Sequence, residues 1–253
     1  MHSLLTFTAK ELKEQFKTFK GVIVFLVLII FGMTSPLFAK LMPDLLRMAG
    51  TGTIIQVPTP TYLDAYAQFF KNIGQLGIIV LILVFSSGIV TETLKGTAQI
   101  MLTKQLSRSQ FILSKFFADV LVWTLSYTVS AALCVIYTVY LFPGDRPGHL
   151  FLALFCMWLY GCLTIAAVIL SGTLFKNYAL AAVGGFVIWG LINLSSLLPK
   201  IKDGAPSVIG SANMDLISRH LSSSAMRMPV LTACLLIFLL LTCACLYFRR
   251  REL

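Results

Sequence analysis

The chain has 253 residues, of which 58% are apolar and only 12% charged, with a formal net charge of +10. A soluble domain carries about a quarter of its residues as charges, so a surface wholly in water is excluded and lipid must cover most of it. Backbone groups in lipid are satisfied only within helices or closed barrels; the apolar runs here are unbroken and lack period-two alternation, which selects an all-α integral membrane fold.

Residues 1–20 read as an amphipathic interfacial helix. Leu5, Ala9, Leu12, Phe16 and Phe19 fall on one helical stripe, with Lys10, Lys13, Lys17 and Lys20 on an adjacent face. Such a helix lies in the membrane interface, apolar side down. A secretory signal is the poorer reading, because this flank is long and amphipathic. Six transmembrane spans follow, near 21–41, 68–90, 115–142, 150–175, 178–198 and 228–248. Each is long enough to cross about 30 Å of hydrocarbon. Only Lys176-Asn177 separates the fourth from the fifth, which predicts a hairpin.

The connections differ in character. Residues 42–67, with Pro43, Pro58, Pro60, Gly50 and Gly52, predict irregular chain, and 143–149 a tight turn. The segment 200–227 reads either as a solvated loop or as holding a short helix within Val208–Leu221, with Asp215 and Arg219 one turn apart. Residues 1–253 thus make a single transmembrane domain. Placing the N-terminus inside gives the short cytoplasmic segments twelve of the twenty basic residues. That follows the positive-inside rule. Both termini are then expected in the cytoplasm of a multi-pass plasma-membrane protein.

Chemistry-bearing residues are sparse. All six cysteines fall inside the spans without a C-x-x-C, and His2, His149 and His220 are scattered, so no metal site is expected. No intramembrane carboxylate pair or nucleophile–base set occurs, so no catalytic residue is assigned, and nothing points to nucleic acid. Asp119 is the one acid inside a span, and its i,i+4 spacing from Lys115 predicts a structural pair. Thr124, Ser126, Thr128, Ser130 and Asn193 are read either as lining a pathway or as bonding to backbone carbonyls and neighbouring helices. Gly184-Gly185 reads as close helix packing.

The most informative segment is 91–115, TETLKGTAQIMLTKQLSRSQFILSK. Gly96 permits a sharp turn after the second span, since glycine tolerates positive φ. Ala98, Ile100, Met101 and Leu102 make a short apolar helix, and Ser107 with Gln110 a capping box. Leu106 and Phe111 supply the hydrophobic staple that opens the third span. A basic loop held on lipid headgroups by Lys95, Lys104, Arg108 and Lys115 is the competing reading.

Glu92, Lys95-Gly96-Thr97, Ile100-Met101-Leu102, Leu106-Ser107-Arg108 and Lys115 together resemble the pattern of ABC-2-type transporter permeases, the membrane-spanning subunits of ABC exporters. The resemblance implies that 91–114 holds a coupling helix between the second and third spans, docking on a cytoplasmic ATP-binding-cassette ATPase. Glu92, Lys95, Gly96, Thr97, Met101, Leu102 and Arg108 are the implied coupling residues. It also implies a second permease subunit, alike or different, and export of a hydrophobic or amphipathic substrate such as a peptide, lipid-linked molecule or drug. No G-x-x-x-x-G-K-[ST] occurs in the chain. ATP and magnesium are therefore expected on the partner ATPase, and the chain itself is expected to be no enzyme. The alternatives are an ATP-independent secondary transporter or channel, and a membrane immunity or assembly protein that moves nothing.

Overall fold

The computed structural model describes residues 2–49, 59–96, 107–143, 147–197 and 204–250. Its helices are α1 (His2–Lys17), α2 (Lys20–Ala49), α3 (Tyr62–Asn72), α4 (Ile78–Phe85), α5 (Ser87–Leu94), α6 (Arg108–Leu141), α7 (Leu150–Leu174), α8 (Tyr178–Leu194), α9 (Val208–Ser211), α10 (Asn213–Ile217) and α11 (Arg227–Arg250). No strand occurs among the described residues. Six helical rods are long and apolar enough to span a bilayer, with α3, α4 and α5 joined into one of them. The even number returns the last span to the side of the first; we call this the terminal face and the other the far face.

The fourth span is the centre. In its most apolar window 78% of the α7 residues are buried, against 17% for α11. α2 packs along α6, while α4, α8, α10 and α11 all pack on α7. Between apolar helices in lipid the attraction comes from close packing, so small residues mark the contacts. A β-carbon on Gly161 would stand 2.2 Å from the Trp123 ring, and one on Gly184 would stand 2.4 Å from Ser171 Oγ. The expected close packing at Gly184-Gly185 is therefore present.

Several boundaries differ from expectation. α2 continues to Ala49 through Pro36 and Pro43, so the irregular connection starts later than residue 42. Proline kinks or breaks a helix in water, but membrane helices tolerate it where neighbouring helices, side chains or local adjustments satisfy the freed backbone groups. α1 stops at Lys17, and Phe19, expected on its stripe, sits in a left-handed turn at φ 60°. α6 begins at Arg108, so Lys115 lies two turns inside the third span and does not open it. The Lys176-Asn177 hairpin forms as expected, with Asn177 Oδ1 accepting from the Ala179 amide at 2.9 Å.

On the far face, the segment before the last span folds into α9 and α10, whose Ile209, Leu216 and Ile217 are buried. Gly148 and His149 donate their amides to the Ile217 and Leu216 carbonyls, which ties this segment to the turn after α6. α10 ends at Ile217 and Arg219 takes φ 61°. Asp215 and Arg219 therefore do not share the helical turn their spacing suggested.

Candidate functional site

At the terminal face, three elements bring their few charged groups together out of solvent. Part of α1's apolar stripe faces outward, with Leu5 67% exposed and Phe16 exposed, while Leu12 packs against the core. The opposite face of α1, with Thr8, Glu11 and Gln15, is buried against the start of α6. α5 delivers Glu92 from the end of the second span. α6 delivers Lys115 and, one turn on, Asp119.

Lys115 Nζ lies 2.7 Å from Glu11 Oε2 and 2.9 Å from Glu92 Oε1, and 5.3 Å from the centre of the Phe111 ring. Gln15 donates its amide to Asp119 Oδ1. The expected Lys115–Asp119 pair does not form, because the ammonium reaches sideways to carboxylates on two other helices while Asp119 takes a neutral donor. Glu11, Glu92, Lys115 and Asp119 are each less than a tenth exposed. One buried cation thus bridges the interfacial helix, the second span and the third span. Removing one member of such a set leaves an uncompensated charge out of water, which costs far more than a surface pair contributes.

A cavity of about 220 Å³ adjoins this node, with Glu14, Lys20, Thr91 and Lys95 among its lining residues. Glu11, Glu14 and Glu92 bring carboxylate oxygens within 4.8 Å of one another. Two of these carboxylates, Glu11 and Glu92, are bonded to Lys115, and Glu14 lies 3.5 Å from Lys10.

Beyond Glu92, α5 ends at Leu94 with Lys95 as its C-cap, and Gly96 takes φ +70°. Only glycine adopts that backbone at little cost. Residues 97–106 lie outside the described residues, and with them Thr97, Met101 and Leu102 and the expected coupling helix. The chain resumes at Ser107, whose hydroxyl accepts from the Gln110 amide at 3.2 Å while Gln110 Oε1 accepts from the Ser107 amide at 3.1 Å. This is the expected capping box.

Arg108 bonds within the chain. Its Nη1 donates to the Phe248 and Arg249 carbonyls at 3.2 and 2.8 Å, at the C-terminal end of α11. A cation there satisfies orphan carbonyls and opposes the negative end of the helix dipole. Phe111, one turn on, stacks on Phe248 with ring centres 5.4 Å apart.

Of the seven residues singled out in the sequence, the structure gathers Glu92, Lys95 and Gly96 at one corner and sets Arg108 against the last span. Glu11, Gln15 and the bridging role of Lys115 were missed. The signal available was that Glu11/Gln15 and Lys115/Asp119 are both i,i+4 sets, of complementary hydrogen-bonding character. Two of the polar residues of the third span bond to backbone or neighbouring helices, whereas Ser126 Oγ is buried without a partner among the described residues. Thr124 donates to Val120 O and accepts from Trp158 Nε1, and Ser130 donates to Leu28 O. Asn193 accepts from the Tyr160 hydroxyl and donates to Trp189 O.

The sequence matches the family described as ABC-2 family transporter protein over residues 50–248. The match takes in Glu92, Arg108, Lys115 and Asp119 and begins after α1 and α2. A relative from Bacillus subtilis (strain 168), described as the uncharacterized transmembrane protein YxlG, is 22% identical over 211 residues, covering 81% of this chain and 80% of the relative.

Proposed function

This chain belongs to the ABC-2 family of transporter proteins, and from that membership we propose that it is the permease subunit of an ATP-driven exporter whose ATPase is a separate polypeptide. Membrane transport follows from the family; the energy source, the partner and the cargo class are our reading. In it, two permease subunits and two ATPase subunits form the complex, and the termini and the 97–106 segment face the cytoplasm. The cargo is hydrophobic or amphipathic, because the chain carries no deep ionisable ladder for an ion.

The observation that supports this most is the pair of fixed ends around 97–106. Gly96 turns the chain out of the second span, and the Ser107–Gln110 box starts the third. In this reading Thr97, Met101 and Leu102, which lie in sequence between those two ends, are the residues that meet the ATPase. A push there is transmitted through Glu92 and Lys115 into α6 and α1, and through Arg108 into α11. Switching of this kind needs packed elements with two discrete arrangements, and a buried ionic bridge between three helices provides a stiff link between them.

Co-expression of the tagged chain with the ATPase encoded nearest to it tests the reading. A stable complex whose ATP hydrolysis exceeds that of the ATPase alone is expected, with none from the purified chain by itself. Hydrolysis intrinsic to this chain, or failure to recover any ATPase partner, overturns it.

A further inference from the structure

A second cavity, of about 400 Å³, opens on the far face between the α3–α4 junction, α7, α8 and the short helices α9 and α10. That volume is within the range of small-molecule sites. Its position is unusual for packing between spans, since much of its wall is polar.

One wall is the π-helical turn Ile73–Gly77, which places Gly74 and Gln75 at the cavity. Such turns interrupt regular helices chiefly where something is bound or moved. Tyr160 and Asn193, locked to each other at 2.9 Å, form another part. The third part is Asn213, only 2% exposed. Its Nδ2 donates to the Gly210 carbonyl at 2.9 Å, which fixes which way the amide faces, and its Oδ1 has no partner. Trp189 Nε1, a donor on the same wall, is buried without a hydrogen-bond partner among the described residues. Buried polar groups are nearly always paired. A wall with one idle acceptor and one idle donor is complementary to an amide, which carries one of each. Neither atom is reached by solvent here, so binding involves a small rotation of these side chains. Lys71 stands exposed at the rim, and Phe70 and Met214 supply apolar wall.

We propose that this far-face cavity binds the amide-bearing end of an amphipathic ligand, with a peptide carboxylate drawn to Lys71 and the aliphatic part toward Phe70 and Met214. This deepens the transport reading, on which identifying the ligand as cargo rests; the binding itself needs no ATPase.

The test uses the full chain in lipid nanodiscs without any partner, titrated with N-dodecanoyl-glycylglycine, its methyl ester and dodecanoic acid. Trp189 reports, its contribution obtained by difference from Trp189→Phe, because Trp123 and Trp158 are already bonded internally. The acylated dipeptide is expected to saturate the signal and to bind about tenfold tighter than dodecanoic acid. Asn213→Leu should weaken it about fivefold or more. Lys71→Gln should weaken the acid and leave the methyl ester unchanged. Ser211→Val, at an exposed lining position, gives a second wall variant should Asn213→Leu fail to fold, and it too should bind more weakly. Equal affinity for dodecanoic acid and the acylated dipeptide would mean partitioning into lipid and overturn the proposal. So would unchanged binding in the wall variants. Failure to find an ATPase partner would overturn the transport reading and leave this result standing.

Discussion

Glu11 and Lys115 are 104 residues apart in sequence and 2.7 Å apart in space. Through this contact the interfacial helix becomes part of the bundle, because the same ammonium also holds Glu92 of the second span. Lys115→Met should therefore be severe, taking from two buried carboxylates the cation that bridges them and leaving the partly exposed Lys10, 3.7 Å from Glu11, as the cation beside them. Breaking a buried pair in this way costs about 3–5 kcal/mol. Glu92→Gln should cost less, since Glu11 still neutralises Lys115. Thermal unfolding in detergent, followed by size-exclusion recovery, reads both; a Lys115→Met protein as stable as the parent contradicts the node.

Gln15 and Asp119 form the second tie between the same two helices. Gln15→Leu and Asp119→Leu should each destabilise, and the double variant should fall short of their sum. The coupling expected is about 0.5–3 kcal/mol, as for other hydrogen-bonded neighbours. Additive effects would mean the two side chains act independently.

Gly96 offers a clean conformational test. Among the described residues a β-carbon there meets nothing within 4 Å, while the φ of +70° strains any side chain whatever the space. Gly96→Val should cost on the order of 1–3 kcal/mol locally, while Gly96→Asn, better suited to the left-handed region, should be milder. Co-purification with the ATPase should fall in the order Gly, Asn, Val. A valine variant that assembles as well as the parent removes the reason for glycine at this turn.

Gly161 is the opposite case, limited by space and not by φ. Its neighbour is the Trp123 ring, held by its own hydrogen bond to Trp158 O at 3.0 Å. Gly161→Ala should lower the melting temperature, with a cost of about 1–3 kcal/mol for overpacking. Gly190→Ala, where nothing among the described residues lies within 4 Å, is the control and should be near neutral.

Topology is checked by accessibility in intact cells, in a background without native cysteines. Cysteines at Lys13, Gly96 and Arg250 should resist a membrane-impermeant thiol reagent, and those at Gly52 and Gly204 should react. Labelling at 96 from outside inverts the arrangement and moves the far-face cavity to the cytoplasm.

What could be read from the sequence was local. The Ser107–Gln110 box involves residues three apart, and the Gly96 turn a single backbone angle, so both were legible. The spans were legible because about twenty apolar residues have one use in lipid. Pro43 misled, since its meaning depends on whether water is there to receive the released carbonyl. Lys115 misled for another reason. Asp119 was a sufficient partner by spacing, and nothing in the sequence tells an ammonium to prefer carboxylates from two other helices. The polar face of α1 was overlooked because its apolar stripe accounted for the helix by itself, although Glu11 and Gln15 are the residues that fix it to the protein.

The Arg108 contact carries a consequence for biogenesis. Its acceptors, Phe248 and Arg249, belong to the last turn of α11 and follow Arg108 by 140 and 141 residues, so they do not exist until long after Arg108 is made. Glu11, Glu92 and Lys115 can meet once the third span has left the ribosome, well before. The two locks therefore close in a fixed temporal order: the amphipathic helix can be fastened before the last span is made, and the last span is fastened only once its own final turn has emerged. A message cut short a few codons before Phe248 would encode nearly the whole of every span yet lack the second lock, giving membrane quality control a defect confined to one helix end.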